Sequence, residues 1–290
     1  MFKVLTLNNI AKVGLSRLPA DAYQIGNDIK DPDAILVRSA NMHSGEIASS
    51  LKAVGRAGAG VNNIPVAKMS DRGIPVFNAP GANSNAVKEL VLAGLVRACR
   101  QICEGWDFAR NLEGSDDEIA KAVEAGKKNF AGYELPGRTL GVVGLGAIGR
   151  LVANSAVALG MKVVGFDPGL TVEGAWQLSS AVKKARSLDD VFATSEFLTV
   201  HVPLNDATRK LVSRDRLASM RKGAVIVNFA REGIVDEQAV VDSIDEGRIH
   251  AYVSDFPTNL TKNHRRCITL PHLGASTMEA EDNGAIMVAE

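Results

Sequence analysis

Three sets of residues in this 290-residue sequence have the types and spacing for chemistry. The first is Gly144-Leu145-Gly146-Ala147-Ile148-Gly149, which follows an apolar run and opens a helical stretch. In that setting Gly144 permits a tight turn, Gly146 the close approach of a pyrophosphate, and Gly149 tight packing of helix on strand. The N–H groups that begin the helix then face the anion. The second is Asp167, at the end of the next apolar run and followed by Pro168-Gly169 rather than an arginine. A carboxylate there accepts hydrogen bonds from both ribose hydroxyls and repels a 2′-phosphate, so NAD is expected over NADP. A glycine turn without a nucleotide is the plain alternative. The third is a pair: Arg231 within 228–236 and His272 within 270–276, each just past a strand-like run. An arginine grips a carboxylate in a bidentate fork, and a histidine removes a hydroxyl proton near neutral pH. Taken singly, Arg231 reads equally well as a surface charge and His272 as a satisfied loop histidine.

These residues need elements to hold them. Apolar runs at 3–7, 34–38, 53–57 and 74–78 read as strands, with amphipathic helical spacing at 44–51 and 66–72. A long helical stretch covers 83–104, and 105–137 is mixed and polar, ending at Pro136-Gly137. A second series of strands follows at 139–143, 161–166, 197–201, 224–228, 249–254 and 267–270, with helices at 148–159, 188–194, 214–220 and 237–246. Strands alternating with helices imply parallel sheets covered on both faces. The expectation is an α/β chain of two doubly wound parallel-sheet domains, with the long helix as the hinge between them.

Composition narrows the partners. With 33 basic and 33 acidic side chains the formal charge is zero, which favours neither nucleic acid nor an acidic membrane surface. No apolar run reaches the ~20 residues of a membrane span, and the N-terminus is too short and polar-flanked for a signal peptide. Cys99, Cys103 and Cys267 cannot all pair and read as structural thiols, which implies a reducing compartment, the cytosol. No histidines stand at ligand spacing beside them, so no metal site is expected.

The stretches GLGAIGR, HVPLNDAT, NFAREGIVDE and PHLGAS resemble, in order, the signatures of the D-isomer-specific 2-hydroxyacid dehydrogenase family. LVRSANM, GRAGAGVNNIPV and GIPVFNAPGANSNAVKELV are similar to its phosphoglycerate dehydrogenase branch. The resemblance implies Rossmann-like and flavodoxin-like domains around an interdomain cleft. A discontinuous substrate domain would comprise 1–87 and 275–290, with an inserted NAD-binding domain at 88–274. It also implies a homodimer joined through the NAD-binding domains, and oxidation of D-3-phosphoglycerate to 3-phosphohydroxypyruvate, the first step of phosphorylated serine biosynthesis.

Carried over by position, Arg231 holds the substrate carboxylate and His272 takes the C2 hydroxyl proton. Asp255 binds the nicotinamide carboxamide. The glycine loop, Asp167, His201, Val202, Pro203, Phe229, Ala230, Gly274 and Ala275 line the cofactor. Arg38 with Ser39, Arg56, Gly58, Ala59, Gly60 and Asn78 would meet the substrate, the two arginines facing its phosphate. Lys127 and Lys128 read as a solvated face, or as cations reaching across the dimer.

One departure stands out. The family places a glutamate a few residues after the aspartate, where it hydrogen-bonds the catalytic histidine; here the stretch reads DFPTNLTK. Asn259 lies closest to that position and Lys262 is the nearby charge, so Lys262 is a candidate catalytic or orienting group. The alternatives are a reductase for glyoxylate, hydroxypyruvate or another 2-keto acid, and an NAD-sensing interaction protein on the same fold. The chain ends where a catalytic core would be nearly complete, so an amino-acid-binding regulatory domain and inhibition by serine are not expected.

Overall fold

A computed structural model describes residues 1–290. The chain divides into two compact units, Met1–Val87 with Gly274–Glu290, and Lys88–Leu273.

The smaller unit holds a five-stranded parallel sheet in the order β2-β1-β3-β4-β5. Its strands are β1 (Phe2–Leu7), β2 (Tyr23–Gly26), β3 (Ala34–Val37), β4 (Ala53–Arg56) and β5 (Val76–Asn78). In β3 the alternation of side chains sends Ile35 and Val37 to one core and Leu36 to the other, so its apolar run is continuous because both faces are covered. The C-terminal helix Met278–Ala289 closes the second face. It approaches closely because two glycines face it: a Cβ on Gly14 would lie 2.3 Å from the Ala285 carbonyl carbon, and one on Gly55 2.6 Å from a Val288 methyl. The first strand and the last helix are thereby parts of one core.

One expectation fails here, and one strand has no counterpart in the sequence reading. The helix expected at 44–51 is a run of turns. The Ser50 hydroxyl donates to the Pro32 carbonyl, a competing bond of the kind that draws serine out of helices, while Leu51 reaches the core from irregular chain. Strand β2 was missed because its YQIG is a partly exposed edge without an apolar run.

The larger unit holds a seven-stranded parallel sheet in the order β12-β11-β10-β9-β6-β7-β8. Its strands are β6 (Thr139–Val143), β7 (Lys162–Phe166), β8 (Lys183–Lys184), β9 (Phe197–Val200), β10 (Ala224–Asn228), β11 (Ile249–Ser254) and β12 (Cys267–Thr269). Every residue of β9 and β10 is buried. Phe192, Leu198, Leu217 and Ile226 are fully buried in its largest core, each contributing about 1.5–3 kcal/mol of transfer free energy. Chain order and sheet order part company at β6, which pairs with both β7 and β9. That reversal is a topological switch point, where helices leave on opposite faces and the strand ends are left uncovered.

The stretch 83–104 is not one helix. Ser84–Arg100 ends, Gln101 adopts a left-handed φ of 47°, and Ile102–Arg110 begins a new one. The break has a tertiary cause: the Tyr133 N–H takes the Cys99 carbonyl at 3.0 Å, and Gly132 is pressed against that same oxygen. The polar segment beyond contains the helix Asp116–Gly126, begun by a capping box in which Ser115 and Glu118 satisfy each other's N–H groups. The Ser-x-x-Glu spacing marks the start of that helix. No helix of the chain is long and apolar enough to cross a membrane.

Candidate active site

The glycine loop leaves β6 at the switch point. Gly144 has φ 89°, and a Cβ there would lie 2.4 Å from the His201 carbonyl oxygen, so only glycine passes between the two strand ends. A Cβ on Gly149 would lie 1.9 Å from the Gly144 oxygen, whereas one on Gly146 meets nothing within 4 Å. Two glycines are thus required by packing, and the third faces open space beside the start of the helix Ala147–Ala158. Gly146 caps that helix without a side-chain hydrogen bond, so the first N–H groups, those of Ala147 and Ile148 included, stay available to an anion. The loop therefore fits a dinucleotide pyrophosphate.

Asp167 follows β7 and braces this loop. Its Oδ2 accepts from the Leu145 N–H and its Oδ1 from the Gly169 N–H, both at 2.8 Å. Each carboxylate oxygen keeps a second lone pair for a ribose hydroxyl. Beside it lies a cavity of about 560 Å³ lined by Leu145, Phe166, Asp167, Pro168, Leu170 and Arg186 among others.

His201, Val202 and Pro203 follow β9. The His201 Nε2 hydrogen-bonds the Thr199 hydroxyl at 3.0 Å, while its Nδ1 is buried without a partner. Burial pushes the imidazole down to about 4, so it is neutral at physiological pH.

After β10, buried Asn228 shapes the Arg231 loop: its Nδ2 donates to the Arg231 carbonyl at 2.9 Å and its Oδ1 accepts from the Ala230 N–H at 3.1 Å. The guanidinium donates back to the Ala230 carbonyl. Phe229 and Ala230 are buried, and the Phe229 ring lies against Gly94 of the helix Ser84–Arg100. Its side chain therefore packs inward. After β11, Asp255 is 1% exposed and accepts from the Leu273 N–H at 2.7 Å, while its carbonyl accepts from the His272 N–H at 3.1 Å. After β12, His272 has a left-handed φ of 56° and its ring meets Phe256 edge-on at 5.2 Å.

Sheet order gathers what chain order scatters. Along the C-terminal edge stand, strand by strand, His272, Asp255, Arg231, the 201–203 turn, the glycine loop and Asp167. Lys262 is exposed in the turn after β11, its N–H on the Thr258 carbonyl. Gly274 and Ala275 belong to the smaller unit.

That unit gathers its own set at its C-terminal sheet edge. Arg38 follows β3 and pairs with Glu281 at 2.7 Å. The Ser39 N–H donates to Asn8 at 2.9 Å. The Arg56 Nε donates to the Arg38 carbonyl at 3.0 Å, and its guanidinium lies against Gly58. The Asn78 amide donates to the Ala59 carbonyl at 2.6 Å, and Gly60 continues that loop. Asn8, Asn228, Phe256 and Glu281 were not singled out from sequence: their roles arise from contacts with distant segments.

Residues 101–274 match the model of the D-isomer specific 2-hydroxyacid dehydrogenase, NAD binding domain. The chain belongs to the D-isomer specific 2-hydroxyacid dehydrogenase family. It is 39% identical over 271 residues to the D-3-phosphoglycerate dehydrogenase of Methanocaldococcus jannaschii, covering 90% of this chain and 49% of that protein. It is 36% identical to the hydroxypyruvate reductase of Thermotoga maritima, covering 90% and 84%. The chain thus spans about half the length of the D-3-phosphoglycerate dehydrogenases it matches. In fold it is similar to the NAD+-bound 3-phosphoglycerate dehydrogenase of Entamoeba histolytica, with a TM-score of 0.76, 24% identity, and 99% and 93% of the two chains covered. The cofactor of this dehydrogenase family member is NAD.

Proposed function

We propose that the chain oxidises D-3-phosphoglycerate to 3-phosphohydroxypyruvate, feeding serine formation. The observation that carries this reading is the sequence of groups along one sheet edge: ribose acceptor, phosphate loop, carboxylate-gripping arginine, buried aspartate, histidine. Bound NAD supplies the hydride acceptor. Arg231 holds the substrate carboxylate and polarises the C2 oxygen, and an imidazole nitrogen of His272 takes the C2 hydroxyl proton. Asp255 ties down the backbone on either side of that imidazole and receives the nicotinamide carboxamide. His201, Val202, Pro203, Ala230 and the backbone of Phe229, with Gly274 and Ala275, complete the cofactor lining. Arg38 and Arg56 take the phosphate. Ser39, Asn78 and the N–H groups of Gly58, Ala59 and Gly60 bind the rest of the substrate. Lys262 assists as an orienting charge.

A second reading, reduction of an unphosphorylated 2-keto acid such as hydroxypyruvate or glyoxylate, is favoured by the Arg38–Glu281 pair, which neutralises one of the two proposed phosphate ligands. A third, an NAD sensor without turnover, draws on the absence of any hydrogen bond or ion pair at the His272 imidazole within its unit. Turnover of a hydroxy-acid panel with NAD and NADP separates them. Product from phosphoglycerate with NAD supports the first; product only from smaller acids supports the second; NAD binding with no product supports the third. Arg231→Ala should lower kcat/KM about a hundredfold or more, as loss of a desolvated bidentate charge pair does.

We also infer a homodimer. The helices Ile102–Arg110 and Asp116–Gly126 bury none of their residues, and Ile102, Trp106 and Val123 are exposed on them. Such an apolar face calls for a partner, and a monomeric mass in solution would remove the inference. All three cysteines are free, which suits a reducing cytosol.

A further inference from the structure

The backbone of His272 is firmly held, but its imidazole is not held by hydrogen bonds. The N–H donates to the carbonyls of Leu270 and Asp255 at 3.0 and 3.1 Å, and the left-handed φ of 56° turns the side chain out of the strand direction. The one ring against the imidazole is Phe256, with centroids 5.2 Å apart and planes at 69°. That edge-to-face arrangement is the favoured one for aromatic pairs.

Phe256 is itself anchored. Its N–H donates to the Ser254 hydroxyl at 3.1 Å, and Pro257 restricts the next φ. The turn then closes through the Thr258 N–H on the Thr261 hydroxyl at 3.1 Å, with Thr261 fully buried. Finally the Thr258 hydroxyl donates to Glu237 Oε2 at 2.8 Å. Glu237 stands in the first turn of the helix Glu237–Asp245, begun by the Asp236 cap that follows the Arg231 loop. A continuous set of contacts therefore runs from the loop bearing Arg231, through Glu237 and Thr258, to the ring beside His272.

We propose that Phe256 is the positioning residue for His272: its ring, fixed by the Glu237–Thr258 hydrogen bond, sets the imidazole rotamer that a carboxylate would otherwise set. This rests on His272 being the proton acceptor. An apolar edge orients the ring without adding a charge, so its effect falls on the population of the reactive rotamer, hence on kcat, and not on nucleotide affinity.

The test uses full-length Phe256→Leu, Phe256→Tyr and Thr258→Val, read by steady-state kinetics, NAD calorimetry and the ring-proton NMR signals of His272. An edge-to-face pair is worth a factor of about five in a rotamer population. Phe256→Leu should lower kcat by about that factor, with NAD affinity within about twofold of wild type and the His272 ring signals displaced. Phe256→Tyr should restore both, and Thr258→Val should fall between. Unmoved ring signals in Phe256→Leu, or displaced signals with wild-type kcat, overturn the proposal. If the wild type turns over no hydroxy acid, it is the assignment of His272 as proton acceptor that fails, and the ring signals alone decide whether Phe256 orients it.

Discussion

Acid should destabilise the larger unit through His201, beginning above the ordinary carboxylate range. The His201 Nδ1 is buried without a partner, and its imidazole is pushed down from an ordinary 6.5 to about 4 by burial. Between those values the unfolded chain binds a proton that the folded chain refuses. Stability is therefore complete above about pH 6.5 and is lost as pH falls toward 4. Linkage with these two values gives a loss of about 2 kcal/mol between pH 7 and pH 5, an upper figure because the residue as a whole is partly exposed. His250, also held low by burial and by Arg266, contributes equally with or without His201. Asp33, Asp236 and Asp242 sit below the usual carboxylate range and titrate only under more acid conditions. Urea unfolding followed by circular dichroism at pH 7 and pH 5 should show wild type losing about 2 kcal/mol more than His201→Gln, whose amide keeps a bond to Thr199 without titrating. Parallel losses would mean that His201 accepts a proton in the folded chain despite its orphaned nitrogen.

Three further outcomes are expected. Gly149→Ala, whose Cβ would lie 1.9 Å from the Gly144 oxygen, should weaken NAD by more than about tenfold in calorimetry, since that oxygen belongs to backbone that must shift; unchanged affinity would show the loop yields freely. Glu281→Gln releases Arg38 from its 2.7 Å pair and should lower the KM for D-3-phosphoglycerate by about threefold, a rim-sized charge effect; a raised KM would show that Arg38 does not meet the phosphate. Asp236→Ala removes both the cap of the helix Glu237–Asp245 and the partner of Lys210, and should cost about 1 kcal/mol in thermal unfolding; an unchanged Tm would show the helix start is held by other contacts.

The placement of much of the candidate site was legible because its signals are local. A glycine turn between strand and helix, the aspartate ending the next strand, and an arginine and a histidine past later strands each depend on neighbours within a few residues, so pattern and spacing suffice. The strands β6 and β9–β12 were equally plain, since strands covered on both faces read as unbroken apolar runs. What failed depended on distant contacts. The helix at 44–51 lost to the bond between Ser50 and Pro32, the long helix broke at Gln101 where the Tyr133 N–H takes the Cys99 carbonyl, and the two-lysine strand β8 carries no apolar signal at all.

Chain order alone therefore determined which residues sit at strand ends and in the glycine turn, because turns, caps and side-chain alternation are short-range. Only the folded sheet decided their order in space: the crossover from β8 past β7 and β6 to β9 sets the arginine and histidine on the opposite side of the glycine loop from Asp167. Only packing, too, placed a phenylalanine against His272 and a glutamate against Arg38, contacts between segments up to 243 positions apart that no local pattern encodes.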